Sequence, residues 1–348
     1  MAKNVVGLDI GTTKVRAAEV TLGKKRPTLV RYAEAPLPEG AVRDGEVVNH
    51  DAVVAALRHL RAAGKFTGKE AVLGVGNQRT MVRGLDLPWM PIDQLRASLP
   101  FQVAEMLPVP VEDAVLDYFP TSAFQAENGE RTVTGLFVAA TRDTMGPNIA
   151  AAETAGWLPV QVDLKAFALV RAAMLMDIAS RCVALVDIGA KTTTIVVVDH
   201  GVPRLVRILA SGALDATEAL AAEMKIPLAE AEALRRHVGV GFHVADEHRT
   251  AADVVSHLTG NLVESIRSTF TYYGQANPGS APELVLLTGG GAYLNGFGQY
   301  LSSASRLTVS LVDFGSAVPI AKTADVTPLR GIETTLAIPL GLAMAVRA

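Results

Sequence analysis

An apolar run closing on Asp-Ile-Gly occurs twice in this chain, and no other feature constrains its fold as strongly. Val6-Gly7-Leu8-Asp9-Ile10-Gly11-Thr12-Thr13-Lys14 lies near the start, and Leu185-Val186-Asp187-Ile188-Gly189-Ala190-Lys191-Thr192-Thr193-Thr194 lies past the midpoint. Each copy continues into a second apolar run, Val15 to Val20 or Ile195 to Val198. Each then reaches a glycine (Gly23, Gly201), a proline (Pro27, Pro203) and Leu-Val-Arg (Leu29 to Arg31, Leu205 to Arg207), with a two-residue insertion in the first copy restoring the register. The pattern predicts a duplicated β-hairpin unit, and so two similar domains.

The turn between the hairpin strands has a chemical logic. The aspartate stands where the first strand ends, and the glycine lets the backbone approach an anion with no Cβ in the way. The amides and hydroxyls that follow, at Thr12 and Thr13 or at Thr192 and Thr193, can donate to phosphate oxygens. Lys14 and Lys191 each add a point charge suited to phosphate. Asp9 and Asp187 can hold Mg²⁺, through water because this ion keeps much of its hydration shell. Asp-x-Gly is common in turns, so one copy reads as readily as a plain structural turn; two copies with matching continuations point to a phosphate site. A third constellation is Thr288-Gly289-Gly290-Gly291-Ala292, between a strand (Glu283 to Leu287) and a short helix (Phe297 to Leu301). Such a turn suits a ligand lying on bare backbone near a helix amino end. Glu232 and Arg235 lie one helical turn apart and read either as a solvated ion pair or as nucleotide contacts.

Composition narrows the function classes. The 348 residues suit two or more domains. Nearly half are apolar and 5% are aromatic, so Ala and Val carry the core. A net charge of −3 without a dense Lys/Arg cluster gives no nucleic-acid footprint. Cys182 is the single cysteine, so no internal disulfide forms, and it reads as buried filler. Met1-Ala2-Lys3-Asn4 runs straight into a strand with no secretion signal, and no apolar run is long enough for a membrane span. Arg347 alone does not give the final helix the basic face that a membrane-surface helix needs. The expectation is a cytoplasmic protein, with docking to a membrane protein left open. The seven histidines show no metal-ligand spacing, no Gly-x-Ser-x-Gly elbow occurs, and neither a P-loop nor a dinucleotide-binding glycine motif is in place.

Along the chain the texture is α/β. Asn49-His50-Asp51 predicts a helix cap, with Val53, Val54, Leu57 and Leu60 at helical spacing. From about Gly84 to Trp157 the prolines crowd, and this stretch reads as an inserted small subdomain or as an irregular edge of the first domain. In it, Asp93 is the expected cap of a helix bearing Leu95, Leu99, Val103 and Met106, which Pro100 should kink or divide. Leu107-Pro108-Val109-Pro110 should run extended. Val160 to Val162 reads as a short strand, with a helix beginning at Asp163. Leu228 to His237 and Ala251 to Tyr273 read as helices, and Pro339 to Ala345 as a buried helix packing back on the body.

Two Asp-Ile-Gly hairpins followed by a late triple glycine resemble the actin-like ATPase superfamily, which includes actin, DnaK-type chaperones, sugar kinases and FtsA. The resemblance implies two related domains, each a mixed sheet flanked by helices, with ATP and Mg²⁺ bound between them. In that pattern Asp9, Gly11, Thr12 and Thr13 match the first phosphate motif. Asp187, Gly189, Lys191, Thr192 and Thr193 match the second, and Gly289, Gly290 and Gly291 match the adenosine motif. Within the superfamily, Gly84-Leu85-Asp86-Leu87-Pro88-Trp89-Met90, Glu105-Met106-Leu107-Pro108-Val109-Pro110 and Ala155-Gly156-Trp157-Leu158-Pro159 are similar to the PilM family of type IV pilus assembly. That likeness implies a first domain over residues 1–83, 158–180 and 331–348, a small α+β insert over 84–157, and a second domain over 181–330 whose helices at about 221–281 clamp the nucleotide. It implies an ATP-binding scaffold, peripheral to the inner face of the membrane, that holds the cytoplasmic amino-terminal tail of an inner-membrane pilus protein of the PilN kind. Self-association is open; nucleic-acid binding and direct membrane insertion are not expected. Asp163 stands where relatives often place a longer residue orienting the attacking water, which fits slow hydrolysis at most. The alternatives are an FtsA-like filament former or a small-molecule kinase, for which no catalytic aspartate stands out.

Overall fold

The computed structural model describes residues 3–23, 26–125 and 129–346; Met1, Ala2 and Arg347, which bore on the expectations above, lie outside the described residues. Strands β1 (Lys3–Ile10) and β2 (Lys14–Leu22) form the first hairpin, with Ile10 opposite Val15 and Asp9 opposite Arg16. Strand β3 (Thr28–Pro36) adds to β2, and the two-residue strands β4 (Val42–Arg43) and β5 (Glu46–Val47) follow. Helix α1 (His50–Ala63) starts at Asn49, whose side chain accepts from the Ala52 amide at 3.1 Å, the cap its sequence predicts. Strand β6 (Glu70–Val75) runs parallel to β1. The chain then leaves this sheet for β7 (Met81–Pro88), α2 (Ile92–Gln102), β8 (Ala114–Gln125) and β9 (Arg131–Thr141). It returns through α3 (Arg142–Thr154), β10 (Leu158–Leu164) and α4 (Lys165–Ala173).

The second half repeats the plan. Its elements are β11 (Cys182–Ile188), β12 (Thr193–Asp199), β13 (Val202–Leu209), α5 (Ala213–Met224), α6 (Leu228–Val238), α7 (Arg249–Ala276), β14 (Leu284–Thr288), α8 (Phe297–Ser305), β15 (Thr308–Leu311), α9 (Phe314–Ala317) and α10 (Ala337–Ala343). The first sheet has the order β10-β6-β1-β2-β3 and the second β15-β14-β11-β12-β13, so each strand of one has its counterpart in the other. Asp187 stands opposite Thr194 as Asp9 stands opposite Arg16. The duplication read from sequence is thus a duplicated sheet.

Two helices lie between the sheets. Helix α10 packs on β1, β2 and β6; α4 packs on β11, β12 and β13; and the two helices pack on each other. One apolar core joins them, from Val5, Val20 and Leu29 through Leu169 and Leu340 to Val196 and Leu286. All seven residues of α10 are buried, and this close seat depends on Gly7, where a Cβ would lie 1.9 Å from the Pro339 carbonyl oxygen. The outer face of the first sheet is covered by α1 and by Ala151, Ala152 and Trp157 at the end of α3. The second sheet's outer face is covered by residues of α5 through α8.

Strands β7, β9 and β8 form a separate three-stranded sheet with its own core of Leu87, Leu95, Leu99, Val103, Tyr118 and Phe137. Two local expectations need correction. The cap of α2 is Pro91, not Asp93, which falls in the first turn; a proline at this point sets the helical entry without a side-chain bond. Pro100 sits in the last turn, and the expected helix is divided soon after it: α2 ends at Gln102 and a 3-10 turn over Ala104–Met106 carries Met106. Strand β10 runs through Asp163 to Leu164, held by parallel pairing of Asp163 with Gly74 and Leu164 with Val75, and the helix begins at Lys165. Leu107 is extended, with φ −87° and ψ 138°, as its flanking proline requires.

Candidate functional site

The two hairpin turns are built alike. The Gly11 amide donates to the Lys14 carbonyl at 3.0 Å and the Gly189 amide to the Thr192 carbonyl at 2.9 Å. Just before each turn stands the aspartate. Asp9 and Asp187 come together between the sheets, close enough that the negative charge of Asp9 helps to raise the pKa of Asp187. Behind Asp187, the Thr288 hydroxyl donates to its Oδ1 at 2.8 Å. The chain then opens at Gly289, whose φ of +83° and whose missing Cβ, which would fall 2.4 Å from the Ile188 carbonyl oxygen, leave only glycine suitable there.

The electrostatics of the two carboxylates differ. Asp9 is buried, with Lys165 Nζ at 2.6 Å from Oδ1 and Arg16 Nη1 at 3.5 Å from Oδ2. Burial pushes its carboxyl up, but Lys165 and then Arg16 outweigh that and hold it below the usual range. Asp187 is pushed up by burial and by Asp9, with the Thr288 bond acting the other way. The strand paired with its own offers Thr194 where the first hairpin offers Arg16. Lys165, the first residue of α4, also donates to the Ile10 carbonyl at 3.2 Å, and Arg16 lies 3.5 Å from Glu34.

Beyond the second hairpin lies a cavity of about 340 Å³. It is lined by Ile188 and Gly212, by Asp215 of α5 and Arg235 of α6, by Thr259 and Asn261 of α7, and by Gly291 of the glycine turn. Arg235 is 4% exposed and is bound to Glu232 at 2.9 Å; Glu232 also receives Arg236 at 2.7 Å and the Thr217 hydroxyl at 2.7 Å. Against the opposing effect of burial, Arg235, Arg236 and Thr217 hold the Glu232 carboxyl at about 2.

The residues selected from sequence therefore gather in three groups. Asp9, Gly11, Thr12, Thr13 and Lys14 form the first turn, where Lys14 is paired with Glu34. Asp187, Gly189, Lys191, Thr192 and Thr193 form the second; Lys191 is paired with Asp215 and Glu218, and the Thr193 hydroxyl is spent on the Ser211 carbonyl at 2.8 Å. Gly289, Gly290 and Gly291 form the glycine turn, of which Gly291 shares the cavity wall with Arg235, and Glu232 is bound to that arginine. Asp163 stands apart from these groups. It is paired with Arg171, and after burial the charges acting on it are those of Arg171 and of Asp117 on β8. Two residues of the site, Arg16 and Lys165, were not selected. The hairpin register points to Arg16, since a four-residue turn puts it opposite Asp9; no local pattern points to Lys165.

A second surface lies on the insert. The edge strand β8 exposes Val115, Phe119 and Phe124, and Phe119 stacks on Phe167 of α4 at 4.9 Å between centroids. The neighbouring edge strand β10 exposes Leu158 and Val160.

A family model described as type IV pilus assembly protein PilM matches residues 7–347. The chain is similar to a solved structure described as a PilM-PilN type IV pilus biogenesis complex, with a TM-score of 0.85 and 26% identity over 98% of this chain and 97% of that one. It is also similar to the ethanolamine utilization protein EutJ from Carboxydothermus hydrogenoformans (TM-score 0.57, 19% identity, 98% of this chain and 89% of that one). MreB5 of Spiroplasma citri bound to AMPPNP gives a TM-score of 0.52 at 11% identity over 89% of this chain and 91% of that one. The cell division protein FtsA of Bacillus subtilis (strain 168) is 23% identical over 264 residues, 68% of this chain; the chain spans 58% of that relative's length. The architecture is the actin-like ATPase fold. Among the described residues no helix is long and apolar enough to cross a membrane.

Proposed function

The chain belongs to the PilM family of type IV pilus assembly proteins, and from that premise we propose that it is a nucleotide-loaded scaffold held at the inner face of the cell membrane by a pilus partner. The observation that carries the nucleotide half is the convergence of both hairpin turns and the glycine turn on one cleft beside the 340 Å³ cavity. ATP fits what these residues offer. Free amides of the two turns suit phosphate oxygens, the bare backbone at Gly289 to Gly291 suits an adenosine, and Asn261, Thr259 and Arg235 line its chamber. Mg²⁺ fits at Asp187, whose carboxylate accepts from the Thr288 hydroxyl and feels Arg16 and Lys165 only across the cleft, with Asp9 as its counterpart. Bound ATP·Mg²⁺ would supply a compact polyanion joining the two domains. Asp163, bound to Arg171, is given no role in orienting water, and the scaffold is a poor hydrolase because positioned water is what turnover needs beyond binding.

The partner half rests on the PilM-PilN likeness and on the exposed apolar strip along β8 and β10. An unpaired strand edge with aromatic side chains beside it suits an extended peptide, which adds main-chain hydrogen bonds to the sheet and buries alternate side chains. We assign that strip to the cytoplasmic amino-terminal tail of an inner-membrane pilus protein of the PilN kind. The test is a calorimetric titration of that peptide into the full chain, with and without ATP·Mg²⁺. Saturable binding that is lost in Phe119→Asp supports the scaffold reading. Absence of peptide binding in either state overturns the partner half. Absence of ATP binding by nucleotide-stripped protein overturns the nucleotide half.

A further inference from the structure

Asp9 is already neutralised before any ligand arrives, and the manner of its neutralisation separates its two cations. Arg16 is shared between two carboxylates: it lies 3.5 Å from Asp9 on one side and 3.5 Å from Glu34 on the other, on a strand paired along both edges. Lys165 is not shared in this way. Its single ion pair among the described residues is with Asp9, and its other recorded bond is to the Ile10 carbonyl. Its stem runs along the end of β6, where Gly74 and Gly76 leave it a channel; a Cβ would come within 3.2 Å of its Cγ at Gly74 and 3.4 Å of its Cβ at Gly76. Its side chain retains 20% exposure, and its charge is felt at Asp187 across the cleft. A lysine ammonium is a compact point charge on a flexible stem with three donors, so it can change partners without backbone movement.

We infer, resting on the nucleotide reading above, that Lys165 is the residue by which the site distinguishes a nucleoside triphosphate from a diphosphate. Without a terminal phosphate, Lys165 stays on Asp9, satisfies its charge and keeps it from serving Mg²⁺. A terminal phosphate offers the ammonium a more highly charged acceptor, and moving onto it leaves Asp9 free as a counterpart to Asp187. Binding of the third phosphate and recruitment of Asp9 are thereby one event. Arg16 remains behind and keeps Asp9 from being stranded without a cation.

The test is equilibrium binding of ATP and of ADP, each with Mg²⁺, to nucleotide-stripped wild type, Lys165→Met and Lys165→Arg, read by calorimetry and by the ligand-induced rise in melting temperature. Wild type should prefer ATP by about tenfold or more, the size of one hydrogen bond to a charged group. Lys165→Met should lose that preference, chiefly through weaker ATP binding, while ADP binding is unchanged or tighter; Lys165→Arg should keep part of it. A preference retained in full by Lys165→Met, or absent from wild type that binds both nucleotides, overturns the inference and leaves the nucleotide reading standing. Wild type that binds neither nucleotide overturns both. Should Lys165→Met fail to fold, Lys165→Gln decides, because it keeps a donor toward Asp9 and the Ile10 carbonyl while removing the charge.

Discussion

Asp9 and Asp187 hold equivalent places in the two hairpins and make opposite contributions to stability. Asp9 has its pKa lowered from 3.8, so its contribution is present above that value and is lost as pH falls through the lowered one. Asp187 has its pKa raised from 3.8, so the folded state prefers it protonated; that contribution is complete below its unfolded value and is lost as pH rises through the folded one. The ligand-free fold therefore disfavours the charged form of Asp187. Asp9→Asn should lower the melting temperature, since it leaves Lys165 and Arg16 without their shared carboxylate, a loss of roughly 3 kcal/mol for a broken buried pair. Asp187→Asn should raise the ligand-free melting temperature while weakening ATP·Mg²⁺ binding. Scanning calorimetry of both variants decides; a destabilised, ligand-free Asp187→Asn would sink the contrast. At this scale the sequence was readable where chemistry is local. Asp9 and Asp187 announce themselves beside their glycines, and Arg16 was available from strand register. Lys165 was not, because 155 residues separate it from Ile10 and only the fold brings α4 over the first hairpin.

The cavity wall made by α5, α6 and α7 is held by Glu232 rather than by apolar packing alone. Its carboxyl, held at about 2 against an ordinary 4.5, joins Arg235 and Arg236 of its own helix to Thr217 of α5. A lowered value means the contribution is present above pH 4.5 and fades as pH falls toward 2. Protection of the α6 amides, taken relative to their intrinsic exchange rate at each pH, should therefore fall across that window in wild type and show no such window in Glu232→Gln, which should already be less protected at neutral pH. Identical profiles for the two proteins would remove Glu232 as the link. The sequence left this pair open between a solvated bridge and a ligand contact, and the fold gives it a third use, bracing the arginine that faces the chamber. Strand β8 was not legible at all. Pro120 and the irregular pairing between Pro120 and Ser122 break its alternation, so it reads as loop until β9 is laid against it. Helix α10 was legible because it is apolar on every side, a composition that only burial permits.

One short segment bridges the two domains beside the cleft. Thr334 donates to the Gly289 carbonyl at 3.2 Å, and its neighbour Thr335 is hydrogen-bonded to the Tyr32 hydroxyl of β3 at 3.2 Å. The insert also rests on the second domain, with β7, β8 and β9 touching β13. A change in the angle between the sheets would thus bear on the exposed apolar strip of β8 proposed above to take the peptide. Removing both hydroxyl contacts in Tyr32→Phe with Thr334→Val should cost about 1 kcal/mol for each bond and should shrink any effect of ATP·Mg²⁺ on peptide affinity. Unchanged coupling between the two ligands in that double variant would show that the segment carries none of it. The duplicated sheets could be read from sequence as a repeat, whereas this crossing segment has no counterpart in the repeat and so no second copy against which to recognise it. The placement of α10 has a further effect, on synthesis. The helix that covers the inner face of strand β1 follows it about 330 residues later in the chain. At the usual pace of translation the apolar face of the first sheet stays bare for about 15 to 65 s. Until α10 is made, that face is an aggregation-prone surface.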